Sequence, residues 1–363
     1  MRNLNEYCVN VHIIATLMVV ISVLSGCIRS GNDESASVRR YKTQGMLYEI
    51  DNEFWTAFTS SPLKGLDSAE GISRKDPSSV IKVDDTYYVW YTRSSEIWYA
   101  TSRDGYFWME QGLVTSLNEE SSGQGEVQSS DILIADGKYY LFFGNNLDRA
   151  IYMLWAESPK GPWHKHLEPV LKPGFEGDFD EHSVLDPCIM VKGGKYFMYY
   201  RGQSMGPDAR NSKRAAWGVA IAKNPEDPFI KSKLNPLLFG GDEGILFYSY
   251  RDGICAILPQ GPERGTVQFS EDGLNFYPKA HGVRDKYYGG MDSYPVSAGG
   301  YREDNISDVE EGLGLNWGLY NSTRIIDGRS VVNLARFDCD LSIQRGDSLR
   351  RENERWLQKY HRK

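Results

Sequence analysis

Short runs of aromatic and β-branched residues recur along the chain, each closed by Gly, Asp or Asn, while stripes with helical spacing are few. Runs of this kind are typical of β-strands joined by tight turns. The first clear example, residues 76–93, starts with an acid, continues as an apolar strand, turns at Asp84-Asp85 and returns as an aromatic strand. This pattern predicts a β-hairpin.

The hairpin is repeated along the chain, and each copy opens at an acidic residue. The opening acids, which lie 49 to 57 positions apart, are Asp76, Asp131, Asp186, Glu243 and, more loosely, Asp292. A second pair of predicted strands follows each hairpin, so each unit of about fifty residues holds the four strands of a propeller blade. A β-sandwich would not place an acid at the same point of every repeat. We therefore predict an all-β fold, a five-bladed β-propeller over residues 70–345.

The N-terminus has a different pattern. Residues 1–26 contain an apolar run, residues 13–24, that is too short to span a bilayer and fits a signal peptide. The run ends in LSGC, residues 24–27, which resembles the lipobox of bacterial lipoproteins. The resemblance implies that Cys27 carries a lipid and that the protein is a cell-envelope lipoprotein of the periplasm or outer membrane, attached to the membrane through this anchor. A plain signal peptide is the alternative.

Two further segments lie outside the repeats. Residues 27–69 are predicted to form a linker and an N-terminal arm that is helical from Ser35 to Phe58. Residues 346–363 are rich in Arg and Lys and are predicted to form a basic surface helix or tail. Neither segment continues the strand pattern.

Composition narrows the function. Of 363 residues, 40% are hydrophobic and 25% charged, which suits a large folded core. Lys and Arg number 41 against 49 Asp and Glu, and the net charge of −8 argues against nucleic acid as a partner. Three cysteines would remain in the mature chain beyond Cys27: Cys188, Cys255 and Cys339. Their odd number, with no C-x-x-C spacing, indicates buried thiols instead of disulfides or a zinc site.

The predicted fold places polar groups together. In a propeller the first strand of every blade lines the central axis, so the five opening acids are expected to converge at one mouth of the channel. The second strand runs antiparallel and ends at the same mouth. It brings polar residues there: Arg93, Asn145, Arg201 and Gln203. Converging carboxylates separate each other's pKa values, which provides the acid and the base needed to hydrolyse a glycosidic bond. The alternative is that each acid only caps a strand or turn.

Sequence motifs make the chain similar to a known group of enzymes. Residues 74–81 (RKDPSSVI), 184–188 (VLDPC) and 241–244 (GDEG) resemble the catalytic segments of the five-bladed propeller glycoside hydrolases of families 43 and 117. Residues 35–45 (SASVRRYKTQG) resemble a family 117 signature, which lies in a helical arm exchanged between subunits. The resemblance implies a homodimer and an exo-acting, inverting enzyme that removes terminal 3,6-anhydro-α-L-galactose, or a related α-L-galactoside, from oligosaccharides of algal galactans.

The resemblance also implies roles for the acids. Asp76 becomes the general base, Asp186 the carboxylate that orients the sugar and tunes pKa values, and Glu243 the third acid. The chain departs from family 117 at Asp242, where a His assigned as proton donor is usual. Either Asp242 or Glu243 then donates the proton, or the substrate differs, or activity is lost. Two other functions stay open: a family 43-type arabinofuranosidase or xylosidase, and a sugar-binding propeller without catalysis.

His182, four residues before Asp186, has three alternative roles: it polarises the leaving group, binds a cation, or forms a hydrogen bond within a loop. A structural divalent cation in the central channel would find ligands in Asp131, Asp292 and His182. No spacing in the sequence requires a metal, and no cofactor is expected. The predicted substrate-binding residues are Arg93, Asp131, Asn145, His182, Arg201 and Gln203.

Overall fold

The computed structural model describes residues 38–43, 46–51, 58–66, 71–116, 126–205, 213–239, 244–281, 295, 297–303 and 312–342. Within these ranges the regular elements are all β-strands, so the all-β prediction is confirmed. In chain order the strands are β1 (Val38–Thr43), β2 (Met46–Asp51), β3 (Thr59–Pro62), β4 (Arg74–Lys75), β5 (Ile81–Val83), β6 (Thr86–Arg93), β7 (Glu96–Ser102), β8 (Trp108–Ser116), β9 (Val127–Ala135), β10 (Lys138–Asn145), β11 (Ala150–Ala156), β12 (His164–Lys165), β13 (Ser183–Lys192), β14 (Lys195–Met205), β15 (Lys213–Ala222), β16 (Ile230–Lys231), β17 (Leu246–Arg251), β18 (Gly253–Leu258), β19 (Thr266–Ser270), β20 (Tyr277–His281), β21 (Gly299–Gly300), β22 (Gly312–Ile326) and β23 (Arg329–Ser342).

Most strands belong to antiparallel meanders. One sheet has the order β4-β6-β7-β8, with β5 also paired to β6, and two more run β9 to β12 and β13 to β16. An eight-stranded sheet has the order β20-β19-β18-β17-β22-β23-β3, with β21 paired to β22. Its two halves are joined by two residue pairs, Tyr250 with Leu313 and Arg251 with Gly312. Each half is therefore a four-stranded meander like the others.

The predicted hairpin turns occur where the sequence places them. Asp84 and Asp136 adopt φ values of 51° in the left-handed region, and Gly193 one of 57°. Asp, Asn and Gly reach this region at low cost, and a tight hairpin turn requires it. These residues fix the register of each hairpin, so each inner strand returns as an aromatic strand.

The core lies between neighbouring sheets. Strands β18 and β19 are buried at every position, as expected for strands covered on both faces. Trp90, Trp108 and Trp217 are among the largest fully buried side chains. This packing holds neighbouring meanders side by side: β9 contacts β6 of the preceding meander and β13 of the next, and β13 contacts β17.

The prediction of a helical arm from Ser35 to Phe58 is wrong for the part of this segment that the structure describes. There, β1 and β2 form an antiparallel hairpin, with Val38 opposite Asp51 and Thr43 opposite Met46. The β-branched and aromatic residues of this stretch favour strands, and Gly45, a residue that favours turns, lies between them in the sequence.

The segment predicted to be the arm also supplies a strand to the main fold. β3 pairs with β23, from Thr59 opposite Asp338 to Pro62 opposite Ala335, so an N-terminal strand completes the last meander. The predicted signal peptide, Cys27 and the basic tail lie outside the described residues. Of the residues that the structure describes, none form a helix long and apolar enough to cross a membrane.

Candidate active site

A cavity of about 50 Å³ lies where β9, β13 and β17 meet the segment before β5. Its lining residues are Asp76, Pro77, Ser79, Ser129, Ser130, Asp131, Asp186, Pro187, Cys188, Trp217, Gly244, Ile245, Leu246, Ser297 and Ala298. The first strands of the meanders thus converge, as the repeat pattern predicts. Two of the predicted catalytic acids, Asp76 and Asp186, face the same cavity.

Asp76 lies between β4 and β5 and is held by Asn321 on β22. The backbone N–H of Asp76 donates to Asn321 Oδ1 at 2.7 Å, and Asn321 Nδ2 donates to Asp76 Oδ1 at 2.8 Å. Asp76 has φ 54°, in the left-handed region, which Asp tolerates better than most residues. These two bonds fix both the backbone and the carboxylate, and Asp76 Oδ2 lies 3.9 Å from Lys75 Nζ.

The surroundings of Asp76 raise its pKa above the ordinary value for an Asp. Burial is the main cause, and the negative charge of Asp186 acts in the same direction. The charge of Lys75, the hydrogen bond from Asn321 and the charge of Arg201 oppose the rise and are outweighed by it. A carboxylate with a raised pKa is a stronger base, which suits proton abstraction from water.

Asp186 is presented by a β-bulge. The pairing of β13 with β14 shifts between Leu185 and Cys188, and Asp186 has φ 53°. Ser129 Oγ donates to Asp186 Oδ1 at 2.7 Å, and Arg201 Nε forms an ion pair with Oδ2. Both oxygens are therefore held by neighbours, which suits a carboxylate that orients a ligand.

The neighbouring strand β9 has its own irregularity, at Ser129. This residue has φ 41°, and the pairing of β9 with β10 shifts next to it. Ser129 thus occupies the place in β9 that Asp186 occupies in β13. The sequence repeat aligned Asp131 with Asp186 instead, although Asp131 lies two residues nearer to its hairpin turn than Asp186 does.

Asp131, predicted as a substrate or cation ligand, lines the cavity, and its side chain is engaged by neighbouring segments. Its side chain is buried and accepts hydrogen bonds from the backbone N–H of Ser79 at 2.9 Å and of Ile189 at 2.8 Å. Arg302 Nη2 lies 3.3 Å from Asp131 Oδ2, and Arg302 also donates to the carbonyl of Ile189. The pair joins segments of four meanders, and the guanidinium places a positive charge beside Asp131.

Arg201 is the predicted substrate-binding residue that the structure joins to a site acid. Arg93 instead pairs through Nη1 with Glu110, and its guanidinium lies 4.2 Å from the ring centre of Trp98. Neither Arg93 nor Glu110 lines the cavity of Asp76 and Asp186.

The remaining candidates lie elsewhere. Gln203 is buried and accepts a hydrogen bond from Ser183 Oγ at 3.0 Å. His182 Nδ1 lies 3.1 Å from Arg149 Nη1, which fits the predicted role within a loop. Asn145 faces a different cavity, and its Oδ1 accepts the backbone N–H of Leu147.

The third predicted acid, Glu243, and its neighbour Asp242 lie outside the described residues, as does Asp292. Gly244 to Leu246, which follow Glu243 in the chain, line the cavity. Among the described residues no group of three His, Cys, Asp or Glu side chains is arranged to hold a metal ion.

Sequence reasoning missed Asn321 and Ser129. Each is a neutral polar residue whose role depends on a partner far away in the chain, so neither carries a local signal. Asn321 lies opposite Leu334 in the pairing of β22 with β23, and nothing in the sequence pattern of either strand indicates a contact with Asp76.

Comparison with known proteins agrees with this geometry. The model of the glycosyl hydrolases family 43 matches residues 71–226. The chain is 30% identical to the extracellular endo-α-(1→5)-L-arabinanase 2 of Bacillus subtilis over 37% of its own length and 34% of that protein. It therefore spans about a third of the length of this curated relative.

Solved structures match over a longer part. The chain is similar to Zg3597, a family 117 glycoside hydrolase produced by the marine bacterium Zobellia galactanivorans, with 29% identity, a TM-score of 0.70, and coverage of 81% of this chain and 93% of that one. A thermostable family 43 glycoside hydrolase shares the fold at 15% identity, with a TM-score of 0.51 and coverage of 76% and 95%.

The all-β meanders and the paired carboxylates, together with these matches, define a propeller-type glycoside hydrolase. More narrowly, the chain is similar to a family 117 glycoside hydrolase over most of its length and to the family 43 enzymes over residues 71–226.

Proposed function

We propose that the protein is an exo-acting, inverting glycosidase that removes a terminal 3,6-anhydro-α-L-galactose or a related α-L-galactoside from algal galactan oligosaccharides. The observation that carries this proposal is the shared cavity of Asp76 and Asp186. The likeness to a family 117 enzyme over most of the chain supports it. The two halves of the eight-stranded sheet count as separate blades in this proposal, which gives a ring of five.

Asp76 acts as the general base in this mechanism. It accepts a proton from a water molecule, and the water oxygen forms a bond to the anomeric carbon as the glycosidic bond breaks. A cavity of about 50 Å³ has room for this water, because one water needs about 10–15 Å³. Asn321 holds Asp76 Oδ1, so Oδ2 is the oxygen available to the water.

The departing oxygen must gain a proton from an acid on the other face of the sugar. We assign this donation to Glu243 or Asp242, which precede the cavity-lining residues Gly244 to Leu246. Inverting enzymes hold the acid and the base about 6.5–9.5 Å apart, so that a water fits between base and sugar. Asp186, fixed by Arg201 and Ser129, accepts hydrogen bonds from sugar hydroxyls.

A family 43-type activity is the second candidate, favoured by the match of residues 71–226 to the family 43 model and by the arabinanase relative. In that case the same acids act on a terminal arabinofuranose or xylose unit. A propeller that binds sugar without hydrolysing it is the third, and the Asp at position 242 is the feature that favours it.

Hydrolysis of a panel of galactan, arabinan and xylan oligosaccharides by the purified protein distinguishes the three. We expect release of a monosaccharide from the galactan series, with inversion of the anomeric centre visible by NMR. Asp76→Asn should slow it by about 10²- to 10⁴-fold, while Asp136→Asn, at an exposed Asp with a similar φ of 51°, should not. Release from arabinan or xylan alone would support the second candidate, and binding without turnover the third.

The cellular setting is part of the proposal. We propose that the protein is exported, lipid-anchored at Cys27 and dimeric through its N-terminal segment. Loss of lipid labelling in Cys27→Ser tests the anchor. A dimeric mass in solution that becomes monomeric when residues 27–57 are removed tests the dimer, and a monomeric parent protein would contradict it.

A further inference from the structure

A second cavity, larger than that of the acids, lies on the sheet formed by β9 to β12. It measures about 340 Å³, within the range of about 300–1,000 Å³ of pockets that bind small molecules. We name it the β11 cavity and define it by its lining: Phe143, Asn145, Leu147, Asp148, Tyr152, Met153, Leu154, Lys165, His166 and Leu167.

The chemistry of the β11 cavity suits a neutral saccharide. Tyr152 is half-buried and stacks on the buried Phe143 with ring centres 6.2 Å apart, so the Tyr152 ring is the aromatic surface open to a ligand. Aromatic and apolar surface packs against the C–H face of a sugar ring. The rim carries one negative charge, at Asp148, and one positive charge, at Lys165. Such a balanced rim donates and accepts hydrogen bonds without selecting an ionic ligand.

The β11 cavity lies close to the acid site. The backbone of Gly144, next to Asn145, packs closely against Leu185, the residue before Asp186. A Cβ added at Gly144 would lie 2.9 Å from the Leu185 side chain. The loop of residues 146–149 forms part of the cavity wall and packs against β13, where the carbonyl of Arg149 accepts the N–H of Val184 at 3.0 Å. Residues 144–149, which contribute to the β11 cavity, thus contact the part of β13 that leads to Asp186.

We propose that the β11 cavity binds further sugar units of the oligosaccharide whose terminal unit lies between Asp76 and Asp186. The inference rests on the proposed function and specifies it: the enzyme prefers longer chains to disaccharides. A saccharide that bridges both cavities passes over the loop that contains Leu147, a large apolar residue that is 53% exposed.

Kinetics and binding across chain length test the proposal. Tyr152→Ala should raise KM for neoagarohexaose and neoagarotetraose about 2- to 12-fold, the range expected for one aromatic contact, and leave kcat and the KM for neoagarobiose unchanged. Tyr152→Phe keeps the ring and should behave like the parent protein. Tyr277→Ala removes a partly exposed ring from β20, outside both cavities, and should change neither constant.

Calorimetric titration of the Asp76→Asn variant with the same three saccharides separates this proposal from the proposed function. Tighter binding of neoagarohexaose than of neoagarobiose supports saccharide binding in the β11 cavity, provided that the difference is lost when Tyr152→Ala is added to the Asp76→Asn variant. This result counts even if no saccharide is hydrolysed. Equal affinity for all lengths, no binding, or no effect of Tyr152→Ala overturns it. If Tyr152→Ala does not fold, Leu167→Asp replaces it in the comparison of affinity with chain length. Leu167 lies on the rim of the cavity and is 92% exposed.

Discussion

Asn321 is expected to set the working pH of the enzyme through Asp76. In Asn321→Ala both hydrogen bonds to Asp76, of 2.7 and 2.8 Å, are lost. The bond from Asn321 Nδ2 stabilises the charged carboxylate and lowers its pKa, so the pKa of Asp76 should rise further above the ordinary value without it. Because the base must be ionised to act, the acid limb of the pH profile of kcat/KM should move to higher pH.

The same change should cost stability. A part-buried N–H that loses its acceptor and a carboxylate that loses a donor each cost about 1–3 kcal/mol. We expect the free energy of unfolding to fall by about 2–6 kcal/mol, measured in urea at constant pH. Stability alone therefore does not distinguish a role in catalysis from a role in folding.

Asn235→Ala is the matched control for this prediction. Asn235 accepts the N–H of Val219 at 2.9 Å and donates to its carbonyl at 3.0 Å, so it makes a similar pair of bonds outside the acid site. Both variants should lose stability, but only Asn321→Ala should shift the acid limb. An acid limb of Asn321→Ala that coincides with that of the parent, or lies at lower pH, would refute the assignment of Asp76 as the base controlled by Asn321.

Further expectations concern the charged pairs of the site. Asp76→Asn should lower kcat about 10²- to 10⁴-fold in assays on the cleaved saccharide. The same variant should raise the thermal midpoint at pH 7, because the parent protein there must keep Asp76, whose pKa is raised, ionised in the folded state. Near pH 3 the carboxyl is protonated in both the folded and the unfolded state, so the thermal midpoint should not rise. Arg201→Met leaves Asp186 without its part-buried ion-pair partner. We expect a higher KM and a loss of stability in urea unfolding, and unchanged values of both would contradict the role given to the pair. Arg302→Met should cost a similar amount while leaving KM unchanged, and the double variant with Asp131→Asn should cost less than the sum of the two, since neither charge is then left unpaired.

The sequence predicts most of the fold because the repeat is local. Each hairpin combines an apolar strand, a turn residue such as Asp136 that tolerates positive φ, and an aromatic return strand, and these signals lie within about twenty residues of one another. Convergence of Asp76 and Asp186 follows from placing equivalent strands around one axis. Pattern and topology were enough to bring these two residues together.

The errors arise where structure depends on single inserted residues or on distant partners. The repeat aligns Asp131 with Asp186, whereas the structure places Ser129 at the equivalent position and buries Asp131 against Arg302 in the cavity wall. Asn321 is 245 positions from Asp76, and a strand pattern carries no information about which distant side chain it will meet. At the N-terminus, the likeness of residues 35–45 to a helical signature outweighed the strand propensity of β1 and β2.

A crystal structure of the Asp76→Asn variant with a bound galactan oligosaccharide tests the central claim most directly. The account predicts the terminal sugar in the cavity between positions 76 and 186, with a water bonded to the side chain at position 76 on the face of the anomeric carbon opposite the glycosidic oxygen. A saccharide bound with its glycosidic bond away from both positions would contradict it.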